Sequence, residues 1–316
     1  MGEGGVKRRV RASRRTKEGQ VSGLKFPVSG FQFQVSGTNG EVFTRATIAL
    51  SHPWAEALPP WNLPTNLLDQ TTASFTAIRG LSSWLAQLPA WQKTGLTPAP
   101  DQACFWSESG VPFQTYGLVP MPQASNQLAQ LSARLIPGGN PWLATHAEGS
   151  FLWQPEVPGL QWKDAMLISP WAKADSVNHH DCLLGGLYGL QLGDTRPPPS
   201  GMLQPLRETP DLVYYQTEMT GSRIDEYFFI TQLFRVVFHR AQLPPPAAGT
   251  QWLKHLEPLL GASTTQVVRH DPQTLALTRT STIGFSALEL HLLADWLESP
   301  KFPHGLHTFL APPERQ

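Results

Sequence analysis

Twice along this chain the same order of elements is legible: strand, helix, strand, strand, helix. That order admits few folds, because strands joined by short turns pair antiparallel and bury their apolar faces under helices kept to one side. In the first copy, residues 72–78 (TASFTAI) are β-branched and aromatic, which predicts a strand. Leu81, Trp84, Leu85 and Leu88 then recur at helical spacing. Residues 103–108 and 112–119 flank Ser109-Gly110 as a hairpin. Ser125 opens a second helix bearing Leu128, Leu131 and Leu135, which Pro137-Gly138-Gly139 should stop.

The second copy starts with a strand at 211–217 (DLVYYQT). A helix follows from Ser222, with Asp225 three residues on as a loose capping box. It is apolar over more than half its circumference, with Asp225, Gln232, Arg235 and His239 as a narrow polar stripe, so it should be buried on two sides. After Pro244-Pro245-Pro246 comes one extra short helix with Trp252, Leu253, Leu256 and Leu260. A hairpin at 264–270 and 274–280, around Asp271-Pro272, and a last helix over 285–298 complete the order. Between the copies, residues 149–193 read as further strands: Phe151-Leu152-Trp153, 165–169, and the glycine-interrupted run 183–192. The fold class is α+β: two related β-α-β-β-α units, spanning 47–200 and 201–316, with mainly antiparallel sheets and a strand-rich middle section.

Composition fits a folded chain with long irregular connections. The 316 residues include 30 prolines, about twice the usual ~5%. Apolar residues make up 41% and the formal net charge is zero, which is not the signature of a disordered chain. Charged residues are only 15%, which disfavours a coiled coil or a highly charged nucleic-acid binder. The zero net charge hides an asymmetry. Lys7, Arg8, Arg9, Arg11, Arg14, Arg15 and Lys17 crowd the first twenty residues, and the other 296 carry a net charge of −5. Val-Ser-Gly recurs at Val21, Val28 and Val35 with a period of seven, but its glycines disfavour a helical heptad. Residues 1–46 are therefore expected to be a disordered basic and repeat tail that looks like translated repetitive DNA. The basic stretch reads as a solvated end, with nucleic acid or an anionic surface as the alternative partner.

Catalytic signatures are absent from the sequence: no GxSxG, HExxH, CxxC, Walker loop or GxGxxG. The sequence accordingly calls for no cofactor and no metal. His179-His180-Asp181-Cys182 contains four potential metal ligands, but neighbours on a strand point to opposite faces, so polar loop residues are the simpler reading. Cys104 and Cys182 leave a single disulfide open, since sequence alone cannot establish its geometry. Glu289 falls between Phe285, Leu292 and Trp296 on the helical wheel, in the centre of an apolar stripe. A carboxylate buried there needs an arginine, and Arg223 and Arg279 sit by strand ends in the same half. A catalytic carboxylate of raised pKa is the alternative.

The phrases SFTAIRG, VYYQTEMTGSR and SALELHLLADWLESPKFP resemble those of a family of uncharacterised bacterial proteins without assigned activity. The resemblance covers roughly residues 60–310. It transfers no site residues. It implies an envelope-facing protein whose relatives can carry an amino-terminal membrane anchor, and hence a periplasmic or membrane-anchored location if a segment precedes Met1. The chain by itself has no continuously apolar window long enough to span a membrane and would read as cytoplasmic. Three function classes follow: a non-catalytic scaffold or binding domain with a protein partner in the envelope, an enzyme of unfamiliar type, and a binder of nucleic acid or anionic surfaces.

Overall fold

The computed structural model describes residues 28–304, apart from 39, 55–56, 64–67, 69–71, 110–113, 155–158, 166–167, 178, 189–200, 239–247 and 300–301. The expectations for residues 1–27 and for the proline-rich connections at 196–199 and 244–246 lie outside the described residues. The strands are β1 (Val28–Thr38), β2 (Glu41–Leu50), β3 (Thr72–Arg79), β4 (Gln102–Glu108), β5 (Thr115–Pro120), β6 (Ser150–Gln154), β7 (Gly159–Lys163), β8 (Trp171–Val177), β9 (His180–Gly186), β10 (Leu212–Met219), β11 (Ala262–Asp271) and β12 (Thr274–Ser281). They form one sheet in the order β1-β2-β12-β11-β10-β3-β4-β5-β9-β8-β7-β6, and every neighbouring pair is antiparallel. The helices are α1 (Ser82–Gln87), α2 (Pro89–Thr94), α3 (Ala124–His146), α4 (Gln204–Glu208), α5 (Thr220–Val237), α6 (Ala248–Leu256) and α7 (Ala287–Glu298).

The order β-α-β-β-α occurs twice, as β3 to α3 and as β10 to α7, with α6 inserted in the second. The two runs meet at the middle of the sheet, where β3 pairs with β10. From that seam β4 and β5 extend one way, β11 and β12 the other. The middle section then adds β9, β8, β7 and β6 outside β5.

Side-chain alternation gives the sheet two different faces. On one, Phe75, Ala77, Cys104, Trp106, Tyr116, Leu118, Leu184, Leu212 and Tyr215 form a core covered by Trp61, Leu63, Leu68, Leu203 and Leu206. The irregular segment around Trp61 and Leu63 is part of this cover. Trp54 lies against Gly80, whose φ of 78° and missing Cβ let the indole sit where a side chain would project. The opposite face carries α5, whose described residues include none that is exposed. It packs against β3 and β10 on one side and α6 and α7 on the other, so burial on two sides is what its wide apolar surface achieves.

Several expectations are corrected. Residues 28–46 are not part of a tail. They form β1 and most of β2, and β2 pairs along its length with β12 and buries Ala46. Helix α3 does not stop at Pro137-Gly138-Gly139 but runs on to His146. Its second half is held by packing over the middle strands, with Leu143 buried beside Trp162. Asn140 also donates to and accepts from the Phe151 backbone at 3.1 and 2.6 Å. Gly139 is needed there, because a Cβ would meet the Phe151 ring at 2.9 Å. Among the described residues of 165–169 there is an isolated bridge between Ala165 and Ile168, and strands β7 and β8 lie on either side of them. The first helix breaks in two at Leu88-Pro89.

Candidate functional site

The helix-bearing face of the sheet carries a polar row. Thr115, Ser107, Ser74, Glu218 and Ser263 are successive cross-strand partners on β5, β4, β3, β10 and β11. Strand sequence puts them there: each is one position out of phase with the apolar residues that face the other core. Ser74 and Ser107 share a hydrogen bond of 2.8 Å. Above them α5 lowers Arg223 and Glu226, which form an ion pair. Arg223 also donates to Ser107 Oγ at 3.1 Å and to the Tyr227 hydroxyl at 2.9 Å, and lies under that ring. Glu226, fully buried, accepts from Thr115 at 2.8 Å. Glu218 accepts from the Ala287 amide at 2.7 Å and from Gln216 at 2.8 Å. Burial pushes its carboxyl above the usual range, and the Ala287 amide and the Arg223 charge act against that. The row therefore ties α5 and the start of α7 to four strands. Sequence reading missed Glu218 and Glu226. For Glu226 the available signal was a carboxylate outside the polar stripe of α5, whereas Glu218 shares its side of β10 with Tyr214 and Gln216 and does not stand out there.

Arg279 and Glu289 continue this face outward. The guanidinium makes two hydrogen bonds to the carboxylate, one of 2.9 Å, and its Nε donates to Thr265 at 2.8 Å. Glu289 is not buried, however: its side chain is 41% exposed. It is the fourth residue of a capping box, accepting from the Ser286 amide at 2.9 Å while Ser286 Oγ accepts from its own amide. Arg223 does not reach it and pairs with Glu226 instead. The wheel misplaced Glu289 because α7 is apolar on two sides. Ala287, Leu290 and Ala294 face the core, whereas Phe285, Leu288 and Leu292 are exposed.

The cluster at 179–182 does not converge. His179 occupies the turn before β9 with φ 64°, His180 and Asp181 are exposed, and Cys182 is in the core. Asp181 accepts from the Gln123 amide at 3.0 Å, beside the start of α3. Cys104 and Cys182 are free, buried thiols of the same core. Burial raises both thiol pKa values, that of Cys182 to about 11, so neither is a ready nucleophile. No group of three or more potential ligands assembles among the described residues. A hollow of about 530 Å³ lies between Trp61, Pro120 and His180. Gln102 on its wall is engaged with the Asn62 amide and the Pro60 carbonyl. Arg79 stacks on Trp61 nearby and spends its donors on the carbonyls of Pro59, Pro210 and Leu212.

Several large apolar side chains are exposed on the described surface. Leu288 and Leu292 lie at i and i+4 on α7, preceded by the exposed Phe285 just outside the helix and followed by Trp296, which packs on Phe302 at 4.8 Å. Trp252 on α6 and Leu259 just after it are exposed as well. No described helix is long and apolar enough to cross a membrane.

Comparison with known proteins assigns no family: no family model and no curated protein matches. Among solved structures, two crystal forms of TP0453 align over most of the chain. Form I gives 9% identity, 76% coverage of this chain, 100% of that one and a TM-score of 0.35. Form III gives 7%, 74%, 98% and 0.33. Likenesses of this strength assign neither a fold family nor an activity.

Proposed function

We propose that this chain is a non-catalytic binding domain that engages a protein partner, in the bacterial envelope if the sequence resemblance is followed, through the outer stripe of α7. The observation that carries the reading is that α7 is apolar on two opposite sides and has core contacts on one. On its second apolar side the helix leaves Leu288 and Leu292, with Phe285 just before it, close to half exposed, at a cost of a fraction of the about 1.5–3 kcal/mol that full exposure of such a side chain carries. The polar row on the sheet supports the same reading, since its arginine and carboxylates bond to one another and to the protein's own amides and hydroxyls.

The test is site-specific photocrosslinking of the full chain in its native cells. A photoreactive residue at Leu292 should give one discrete protein adduct, and the same group at the exposed Lys93 on α2 should not. Leu288→Ser with Leu292→Ser should abolish the adduct while leaving the melting temperature within a few degrees, because both positions are exposed. A uniform smear at both positions, or no adduct at Leu292, would count against the reading.

A further inference from the structure

Strand β1 ends the sheet on its side. β2 occupies one of its edges, and no described residue pairs with the other. Free edges are normally blunted by shortness, by lysine or proline, or by a bulge. β1 is eleven residues long, and its sequence VSGFQFQVSGT contains neither charge nor proline. Its one register irregularity lies at the start, between Val28 and Gly30. Phe31, Phe33 and Val35 are exposed on the face that carries α7, because their β2 partners Ile48, Ala46 and Thr44 are in turn the partners of Leu275, Leu277 and Arg279, and Arg279 reaches Glu289 from that face. Gln32 and Gln34 project from the other face.

The order of side chains is close to symmetric about Phe33. If the strand is laid antiparallel against its own copy on a two-fold axis at Phe33, that residue meets itself, Gln32 meets Gln34, Phe31 meets Val35 and Gly30 meets Ser36. From Gly30 to Ser36 each large apolar residue opposes an apolar one, and each amide an amide. A strand bearing charge would oppose like to like across such an axis, and β1 bears none. A foreign peptide has no need of this symmetry, whereas an isologous contact requires a patch complementary to itself. We propose that the free edge of β1 takes a second copy of this chain, antiparallel and centred on Phe33, so that two sheets join into one. This surface is distinct from the stripe on α7 and does not depend on it.

A charge exchange in the full chain tests the proposal. Phe33→Lys puts two ammonium groups opposite each other at the axis, and Phe33→Glu puts two carboxylates there. Position 33 is exposed, so both variants should keep a cooperative thermal transition. In sedimentation over the micromolar range, the wild type should dimerise, each variant alone should be monomeric, and an equimolar mixture should recover the dimer. A wild type that stays monomeric overturns the proposal. So does dimerisation of either variant alone at wild-type strength, which would place the contact elsewhere. A mixture of folded variants that fails to recover the dimer also overturns it, and points to a different strand on this edge. If a variant fails to fold, spin labels provide a second readout. A label at Phe33→Cys should give the shortest distance between copies, lengthening for Val28→Cys and Thr38→Cys. Any other order, or no measurable distance, overturns the two-fold at Phe33.

Discussion

Glu226 and Glu289 are both held by arginine, and they separate what burial does from what pairing does. Glu226 is wholly inaccessible, and its partner Arg223 is enclosed by Tyr227 and the sheet. Removing one member of such a pair strands the other charge away from water. Glu226→Ala should therefore destabilise by about 3–5 kcal/mol in a urea titration. Glu289 has the better fork-to-fork geometry with Arg279, yet water reaches it, and screening removes much of the value of an accessible pair. What Glu289→Ala loses is mainly the capping box, so about 1–2 kcal/mol is expected. Equal losses from the two substitutions would show that exposure does not govern the pairs in this protein. Neither cost was legible from sequence alone. A helical wheel ranks directions around one helix, but the tertiary contact decides which of two apolar sides is covered.

Elements read correctly where local pattern and packing agree, as in the β-branched β3 and the capped α7. They read poorly where a distant contact overrides a local signal. Pro137 and its two glycines are local stop signals, but the contacts of Asn140 and Leu143 with the middle strands carry α3 past them. In β1 the glycines of the Val-Ser-Gly units mask the alternation Phe31, Phe33, Val35, a period-two signal present in the sequence. The contact between α5 and α7 adds a pH effect. His291 lies with its ring against Phe228 and Tyr227, at centroid distances of 4.6 and 5.7 Å. Burial disfavours its charged form and lowers its pKa below the usual value. The unfolded chain then takes up the proton first as pH falls. The stability tied to neutral His291 is thus present above about pH 6.5 and is lost as pH drops through the folded value. Between pH 7.5 and 5, the wild type should lose more stability than His291→Phe, measured as the difference in urea midpoints. Parallel curves for the two proteins would mean that His291 titrates normally in the fold.

At the scale of the whole molecule, the seam between β3 and β10 decides whether the two β-α-β-β-α runs are separable. Their order was readable because each consists of local patterns. Their joining into one sheet was not, because it pairs Thr76 with Gln216 and Ala77 with Tyr215, residues that no local periodicity relates. The seam holds more than backbone pairing. Phe75 from the first run packs on Tyr215 from the second with ring centroids 6.3 Å apart, in a core that also contains Leu203, Leu206 and Leu212. Arg79, at the end of β3, donates to the carbonyls of Leu212 and Pro210. On the opposite face, Arg223 of the second run reaches Ser107 of the first, and Glu226 takes the hydroxyl of Thr115. A polypeptide of residues 201–316 alone would leave β10 with a bare edge, take Trp61, Leu63, Leu68 and Phe75 away from the core around Leu212 and Tyr215, and remove two hydroxyl partners from a buried ion pair. That fragment should have no cooperative thermal transition of its own. Mixing it with residues 28–200 should restore one, together with the near-ultraviolet signal of the packed aromatic residues. If 201–316 instead melts sharply by itself, the second run is an independent domain and the seam is only a docking contact between two finished units.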